Sequence, residues 1–307
     1  MNKLILGTRG SPLALAQSRQ MAALLQAAHP GLKIEERIIR TTGDKRQNAS
    51  LPQIGGKGVF TLEIEAALQN KEIDFAVHSL KDLPPDMPAG LCLAAVPRRA
   101  SPNDVLIANA QLCDPNSPLP LNAKVGTSSL RRGAMLLNGR EDLQIEEVRG
   151  NIDTRLSKLE SENFHAIVLA LAGLQRLQVE EDLSARMMIL DAQEFIPAPG
   201  QGALALQARS DDESTLLLLD ALENYAARAE IIAERTVVKK LNAGCSTPLG
   251  AYAICENEVL SLRACVLSHD GKIRIEASGK SIPEYARDLG ISVAQKLLDQ
   301  GAMELLA

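Results

Sequence analysis

Apolar residues along this chain fall into two kinds of run that take turns: short dense blocks, and longer stretches with one apolar residue every three or four positions. The dense block Lys3–Thr8 predicts a buried strand. Ser11 then stands as an N-cap and Pro12 as the first residue of a helix running to about His29. Leu32–Ile39, Ile73–His78 and Leu91–Val96 predict further strands, and Gly55-Gly56-Lys57-Gly58 opens a predicted helix, Val59–Asn70, with Ile64, Ala67 and Leu68 on one face. The alternation repeats. Asp104–Ala108, Lys124–Val125, Leu143–Val148 and His165–Ala170 predict strands, with helices over Ser128–Leu137 and Ile152–Glu160. Strand and helix in alternation imply α/β architecture with parallel sheets.

Ile196-Pro197-Ala198-Pro199-Gly200-Gln201-Gly202 breaks the pattern and is a candidate hinge, with one more strand, Gly202–Ala208, after it. The last third changes character. Helices are predicted over Thr215–Leu222 and Ala226–Leu241. Three strand-like runs follow, Leu249–Ile254, Val259–Leu267 and Lys272–Ser278, joined by turns at Glu256-Asn257 and Asp270-Gly271. With a final helix over Pro283–Leu298, this is a small α+β module with a three-stranded antiparallel sheet. No internal repeat interrupts the scheme.

Composition removes several function classes. The 307 residues are 46% apolar and 23% charged, as in ordinary globular proteins. A net charge of −5 argues against coating nucleic acid by bulk charge, and four Phe, three Tyr and no Trp leave few stacking surfaces for bases. The longest apolar run, Ala166–Leu174, is far short of the ~18 residues of a membrane span. Arg9 cuts short the apolar N-terminal stretch, so no secretory signal is expected. Five cysteines without a CxxC pair read as reduced thiols, which gives a cytoplasmic expectation. Four scattered histidines give no metal-ligand spacing, and no metal is expected. Arginine supplies 20 of the 33 basic residues, and its planar fork suits carboxylates.

The arginines are not evenly spread. Thr8-Arg9-Gly10-Ser11-Pro12, Gly126-Thr127-Ser128-Ser129-Leu130-Arg131-Arg132 and Val148-Arg149-Gly150-Asn151, continuing to Arg155, each place a strand end, a helix start and one or two arginines together. A helix N-terminus attracts anions, and cations in its first turn oppose the helix dipole unless an anion lies between. Arg176 follows the strand His165–Ala170 at the same predicted end of the sheet. Taken singly, each arginine is more often a solvated surface charge; together, Arg131, Arg132, Arg149, Arg155 and Arg176 point to a cleft for a polyanion. His78-Ser79-Leu80-Lys81-Asp82-Leu83-Pro84-Pro85 puts a carboxylate at a strand end, fit for acid–base work or for stabilising a cation, though a turn with an exposed Lys–Asp pair has the same sequence. Cys245, in Ala243-Gly244-Cys245-Ser246-Thr247-Pro248, stands on a small-residue turn near Lys239 and Lys240, which favours an accessible thiol. Cys92, Cys255 and Cys265 lie in strand patterns as packing residues, and Cys113 lies in a loop.

The ordered segments TRGSPLA, GDK, GGKG, AVHSLKDLP, GTSSLRR, RGN with TRLSKL, PAPGQGALAL and AGCSTPLGAY together resemble the porphobilinogen deaminase (hydroxymethylbilane synthase) family from Leu6 to the C-terminal helix. The resemblance implies two doubly wound α/β lobes like those of periplasmic binding proteins, at 1–99 with 200–220 and at 100–199, and a third α+β domain at 221–307. It implies a transferase that adds four porphobilinogen units, losing ammonia at each, to a dipyrromethane cofactor held by the sulfur of Cys245. Asp82 would be catalytic, stabilising the electron-poor azafulvene left when ammonia departs. Ser79, Lys81, Asp82, Thr127, Ser128, Ser129, Arg131, Arg132 and Asp44 would hold the cofactor. Arg9, Ser11, Arg149, Arg155, Arg176, Gln201 and Lys57 would bind substrate or the elongating chain. The porphobilinogen side chains are carboxylates, which agrees with the arginine pattern. The implied protein is a monomer with a small-molecule substrate and with neither nucleic acid nor membrane as partner. The competing reading is a two-lobed, non-catalytic polyanion-binding protein. A nucleotide enzyme is disfavoured because GGKG is not a phosphate-loop motif.

Overall fold

A computed structural model describes residues 3–45, 61–109, 119–244 and 247–306. They form two compact units, Met1–Ala100 with Gly202–Arg228, and Ser101–Gln201 with Ala229–Ala307. In the first unit, strand β1 (Lys3–Thr8) leads into the helix Pro12–Ala28, whose N-cap Ser11 accepts a hydrogen bond from the Ala14 amide at 3.4 Å. Strand β2 (Lys33–Ile38), the helix Leu62–Gln69, and strands β3 (Phe75–Ser79) and β4 (Leu91–Ala95) follow. The second unit begins with β5 (Asp104–Ala108) and β6 (Lys124–Gly126). The helix Leu130–Gly139, β7 (Gln144–Glu146), the helix Ile152–Ser161, β8 (Ala166–Ala170), the helix Leu171–Leu177 and β9 (Met187–Leu190) come next. Strand β10 (Leu204–Arg209) belongs again to the first unit.

The first sheet has the order β2-β1-β3-β10-β4 and the second β7-β6-β8-β5-β9. Both are mixed, which corrects the expectation of purely parallel sheets. Strands β1, β2 and β3 run parallel, but β10 is antiparallel to both β3 and β4. In the second sheet β6, β7 and β8 are parallel, and β5 is antiparallel to β8 and β9. The physical reason is connectivity. A parallel neighbour needs a crossover helix, whereas β5 and β10 each begin where the chain enters a unit from outside it, with no such helix before them. Strand β9 and the helix Leu171–Leu177 were not anticipated: the apolar run Ala166–Leu174 crosses a strand–helix junction without a break in composition.

Each sheet is covered on both faces. Leu4, Leu6, Phe75, Val77 and Leu206 pack with Met21 and Leu25 of the first helix, while Ile64 and Leu68 cover Ile73 and Ala76 on the other face. In the second unit, Val105, Ile107, Ile167 and Leu169 face Leu159 and Leu174, and Leu106, Val125 and Val168 form the opposite layer. The C-terminal part of that unit is the expected meander, β11 (Leu249–Glu256), β12 (Val259–Leu267) and β13 (Arg274–Ser281), packed against the helices Tyr225–Lys240 and Ala286–Asp299. It has its own core, and it touches the α/β part through Met135 and Ile196 against Cys265 and Leu267. Glu234, fully buried, accepts from the amides of Gly200 at 2.6 Å and Ala253 at 2.8 Å, tying the breaker segment to β11. No described helix is long and apolar enough to cross a membrane.

Candidate functional site

In the first unit, β1 and β3 end side by side because they are parallel neighbours. Their carboxyl ends carry Arg9 and Ser11 on one side, and Ser79 with the short 3-10 turn Leu80–Asp82 on the other. Arg9, Ser11, Ser79 and Asp82, with Gln17, Thr61 and His78, line one open depression at the N-terminus of the helix Pro12–Ala28. Four of the expected site residues of this unit, Arg9, Ser11, Ser79 and Asp82, are thus brought together. Gln17 Nε2 donates to Ser79 Oγ at 3.0 Å and the hydroxyl donates back to Gln17 Oε1 at 3.2 Å, which fixes the wall. Asp82 and Lys81 are exposed. The site therefore pairs a carboxylate with a guanidinium and with helix amide groups, a combination suited to a zwitterionic ligand. Asp44 lies in the short helix Thr42–Lys45, its side chain outside the described residues. Lys57 and the glycine loop around it also lie outside them.

His78 is 7% exposed and its Nε2 lies 3.0 Å from Gln207 Oε1. Burial, with the neighbouring Arg9 charge, outweighs the Gln207 hydrogen bond and lowers its pKa to about 4, so the imidazole is neutral near pH 7.

In the second unit, β6, β7 and β8 also end at one edge, and antiparallel β5 begins there: Asp104 pairs with Ala170. Ser129 caps the helix Leu130–Gly139, accepting from the Arg132 amide at 3.4 Å. Thr127 Oγ1 accepts from the Ser129 amide at 3.2 Å, and Ser128 Oγ donates to the Val148 carbonyl at 2.5 Å. The anion that the first-turn arginines require is internal. Arg131 Nη2 donates to Asp104 Oδ2 at 2.7 Å, and Arg132 grips Oδ1 through Nε at 2.9 Å and Nη2 at 2.7 Å. Asp104 is fully buried, and the two arginines are 4% and 6% exposed. Burial pushes the Asp104 carboxyl upward, but the two guanidinium groups and Gln201 outweigh it and bring its pKa to about 2. Gln201 donates to Asp104 at 2.9 Å and to the Pro102 carbonyl at 2.7 Å.

Asp104 is the residue that sequence reasoning missed. Its signal was a carboxylate opening an otherwise apolar strand. The cluster still carries one surplus positive charge, two guanidinium groups against one carboxylate, and Arg131 Nε is buried with no hydrogen-bond partner among the described residues. The arginines at the same edge are differently employed. Arg149 is ion-paired with the exposed Glu147, and Arg155 Nε donates to the Gly150 carbonyl at 2.8 Å. Arg176 follows β8, and burial lowers its pKa to about 10. Cys245 lies outside the described residues. Among the described residues no group of His, Cys, Asp or Glu is arranged to hold a metal.

A sequence model of the porphobilinogen deaminase dipyrromethane cofactor binding domain matches residues 4–216, and a model of the porphobilinogen deaminase C-terminal domain matches residues 228–299. The porphobilinogen deaminase of Brevibacillus brevis is 45% identical over 309 residues, covering 100% of this chain and 97% of that protein. That of Syntrophomonas wolfei is 44% identical over 308 residues, covering 100% and 98%. Among solved structures, the probable amino-acid ABC transporter extracellular-binding protein ytmK from Bacillus subtilis aligns over 72% of this chain and 90% of its own at 12% identity, with a TM-score of 0.41, a likeness too loose to bear on function.

Proposed function

The chain belongs to the porphobilinogen deaminase family, transferases that condense four porphobilinogen molecules stepwise, with loss of ammonia, onto a covalently bound dipyrromethane and release hydroxymethylbilane, and from that premise we propose that the Asp82 depression is where the condensation occurs. The non-catalytic binding reading is not favoured by a family match over nearly the whole chain. The observation that carries the assignment is the meeting of Asp82, Arg9, Ser11 and Ser79 in one depression at a helix N-terminus. Porphobilinogen brings an aminomethyl cation and two carboxylates, and the depression offers an opposite charge to each. Arg9 and the helix N-terminus orient the acid side chains. Asp82 faces the positive charge that develops as ammonia leaves, and a carboxylate there lowers the barrier electrostatically. Lys81, beside it, is assigned to the cofactor acids, as is Asp44 to its pyrrole N–H groups.

The donor set of the second unit fits the acetate- and propionate-bearing dipyrromethane. The Asp104 cluster has one positive charge in excess, an orphaned guanidinium N–H, and three hydroxyl residues at the helix start above it. Thr127 and Ser129 would meet the carboxylates through their hydroxyls and Ser128, whose hydroxyl is given to the Val148 carbonyl, through its backbone amide, with Arg131 and Arg132 acting through their surplus charge, since Asp104 already takes their forks. Arg149, Arg155 and Arg176 would serve the growing chain, and Gln201 would act by holding Asp104. When bound, the dipyrromethane supplies the terminal pyrrole that is extended. Its attachment is assigned to the sulfur of Cys245, in a third domain spanning 221–307, and the enzyme is placed in the cytoplasm as a monomer without nucleic-acid partners.

Intact mass of the purified protein tests this reading. A two-pyrrole adduct is expected, mapped to the Cys245 peptide and absent from Cys245→Ser. Asp82→Asn should keep the adduct and lose at least about a hundredfold in turnover, the lower end of what a positioned acid–base group contributes. An unmodified, fully active protein, or an Asp82→Asn enzyme with normal turnover, contradicts it.

A further inference from the structure

Behind the depression lies a buried polar chain that the proposed chemistry does not use. Gln207, fully buried on β10, bridges two groups: its Oε1 is 3.0 Å from His78 Nε2, and its Nε2 is 3.2 Å from Glu65 Oε1 on the helix Leu62–Gln69. A second contact, to the Met87 sulfur at 3.4 Å, also comes from the Gln207 amide nitrogen. The register of β10 against β4 shifts between Leu206 and Gln207, and such a bulge re-aims the side chain beside it.

The direction of every hydrogen bond follows from Glu65. Gln207 Nε2 donates to Glu65 Oε1, which leaves the amide oxygen of Gln207 facing His78. His78 Nε2 must then carry the proton. In the neutral ring Nδ1 is left with a lone pair, and it has no hydrogen-bond partner among the described residues. The elements around the ring carry Arg9 after β1, Glu63 and Glu65 on the facing helix, Arg209 on β10, and Lys81 and Asp82 beyond its own strand, and of these Arg9 acts on its charge. Arg9 and burial both disfavour a second proton.

We infer that His78 is a positioning residue for substrate: the Glu65–Gln207 pair locks it as the Nε2–H tautomer, so that Nδ1 stands as a fixed acceptor in the Asp82 depression for an N–H of bound porphobilinogen. The inference rests on the reading of that depression as the reacting site. Its test separates the two, because the tautomer is read without turnover.

The full-length protein carrying its primer is labelled with 15N-histidine. Four histidines give a simple spectrum, and His78→Gln assigns the signal. The expected result is a protonated Nε2 and a bare Nδ1 between pH 5.5 and 8. In Asp82→Asn, added porphobilinogen should move the Nδ1 resonance upfield, as acceptance of a hydrogen bond does. Gln207→Leu and Glu65→Gln release the lock. Both should give mixed tautomers and raise KM for porphobilinogen about tenfold, the worth of one hydrogen bond, with kcat within about threefold. Glu65→Gln keeps side-chain volume and serves if Gln207→Leu does not fold. A protonated Nδ1 in the parent protein overturns the inference, as does a resonance indifferent to porphobilinogen or mixed tautomers with an unchanged KM. Normal turnover in Asp82→Asn would remove the Asp82 assignment while leaving the tautomer result standing.

Discussion

Replacing Asp104 by asparagine removes one charge and almost no volume from a position with no solvent access. Two guanidinium groups then face each other in the interior with nothing between them but an amide. Each guanidinium–carboxylate attraction is about 4 kcal/mol at 4 Å for an effective dielectric constant near 20. Relief of the carboxylate's own burial penalty, and the hydrogen bonds an asparagine can still accept, offset part of the loss. The remainder is about 3–5 kcal/mol, the range found when one partner of a buried pair is removed. For a unit of about 180 residues that corresponds to a fall of about 6–20 °C in its unfolding midpoint. Far-UV circular dichroism follows the midpoint, and amide exchange at Leu106 and Ile107 locates the loss in β5 and its neighbours. As a comparison, Glu36→Gln breaks the exposed Arg19–Glu36 pair and should leave the midpoint unchanged within error. Acid supplies a second readout. Because the Asp104 pKa is depressed to about 2, its contribution is present above about pH 4 and is lost as pH falls through about 2. Asp104→Asn should therefore flatten that acid limb. A variant that melts within about 2 °C of the parent, with the acid limb intact, would refute the view that the two arginines are held by an internal anion.

Three further outcomes follow from the same structure. His78 has a folded pKa near 4 against about 6.5 unfolded, so stability should fall as pH drops from about 6.5 to 4, by up to roughly 3 kcal/mol, and His78→Gln should abolish that slope in denaturant titrations at fixed pH. Gly271 sits at φ +72°, and a Cβ there would lie 2.5 Å from the Ala134 carbonyl oxygen and 2.6 Å from the Asn138 amide nitrogen. Gly271→Ala should cost about 3 kcal/mol and raise amide exchange first in β12 and β13, and an unchanged exchange pattern would contradict this contact. Asn151 caps the helix Ile152–Ser161 by accepting from the Thr154 amide at 2.8 Å. Asn151→Ala should lower stability by about 1 kcal/mol in urea titrations, with no loss of the covalent adduct.

Much of the architecture was legible locally. Strands β1, β5 and β12 occupy the ranges their apolar blocks predict, and the helix start at Pro12 follows from Ser11. These features depend on period and capping, which a few neighbouring residues decide. Arg9, Ser11, Ser79 and Asp82 each stand at the carboxyl end of a strand, but their meeting in one depression depends on β1 and β3 being parallel neighbours, which no local pattern states. The Asp104 cluster was not legible either. Arg131 and Arg132 are recognisable as cations in a costly place, but their partner lies 27 and 28 positions away, across a strand order that no local pattern encodes.

Local patterning sets most of the elements, the cap at Ser11 and the arginine-bearing strand ends, and ordered motifs over nearly the whole chain identify the family. Tertiary structure alone decided the antiparallel placement of β5 and β10, because strand direction depends on where the chain re-enters each unit. With that placement came the two polar clusters that local reasoning did not foresee. Antiparallel β5 delivers the Asp104 carboxylate to the arginines, and antiparallel β10 delivers the Gln207 amide to His78.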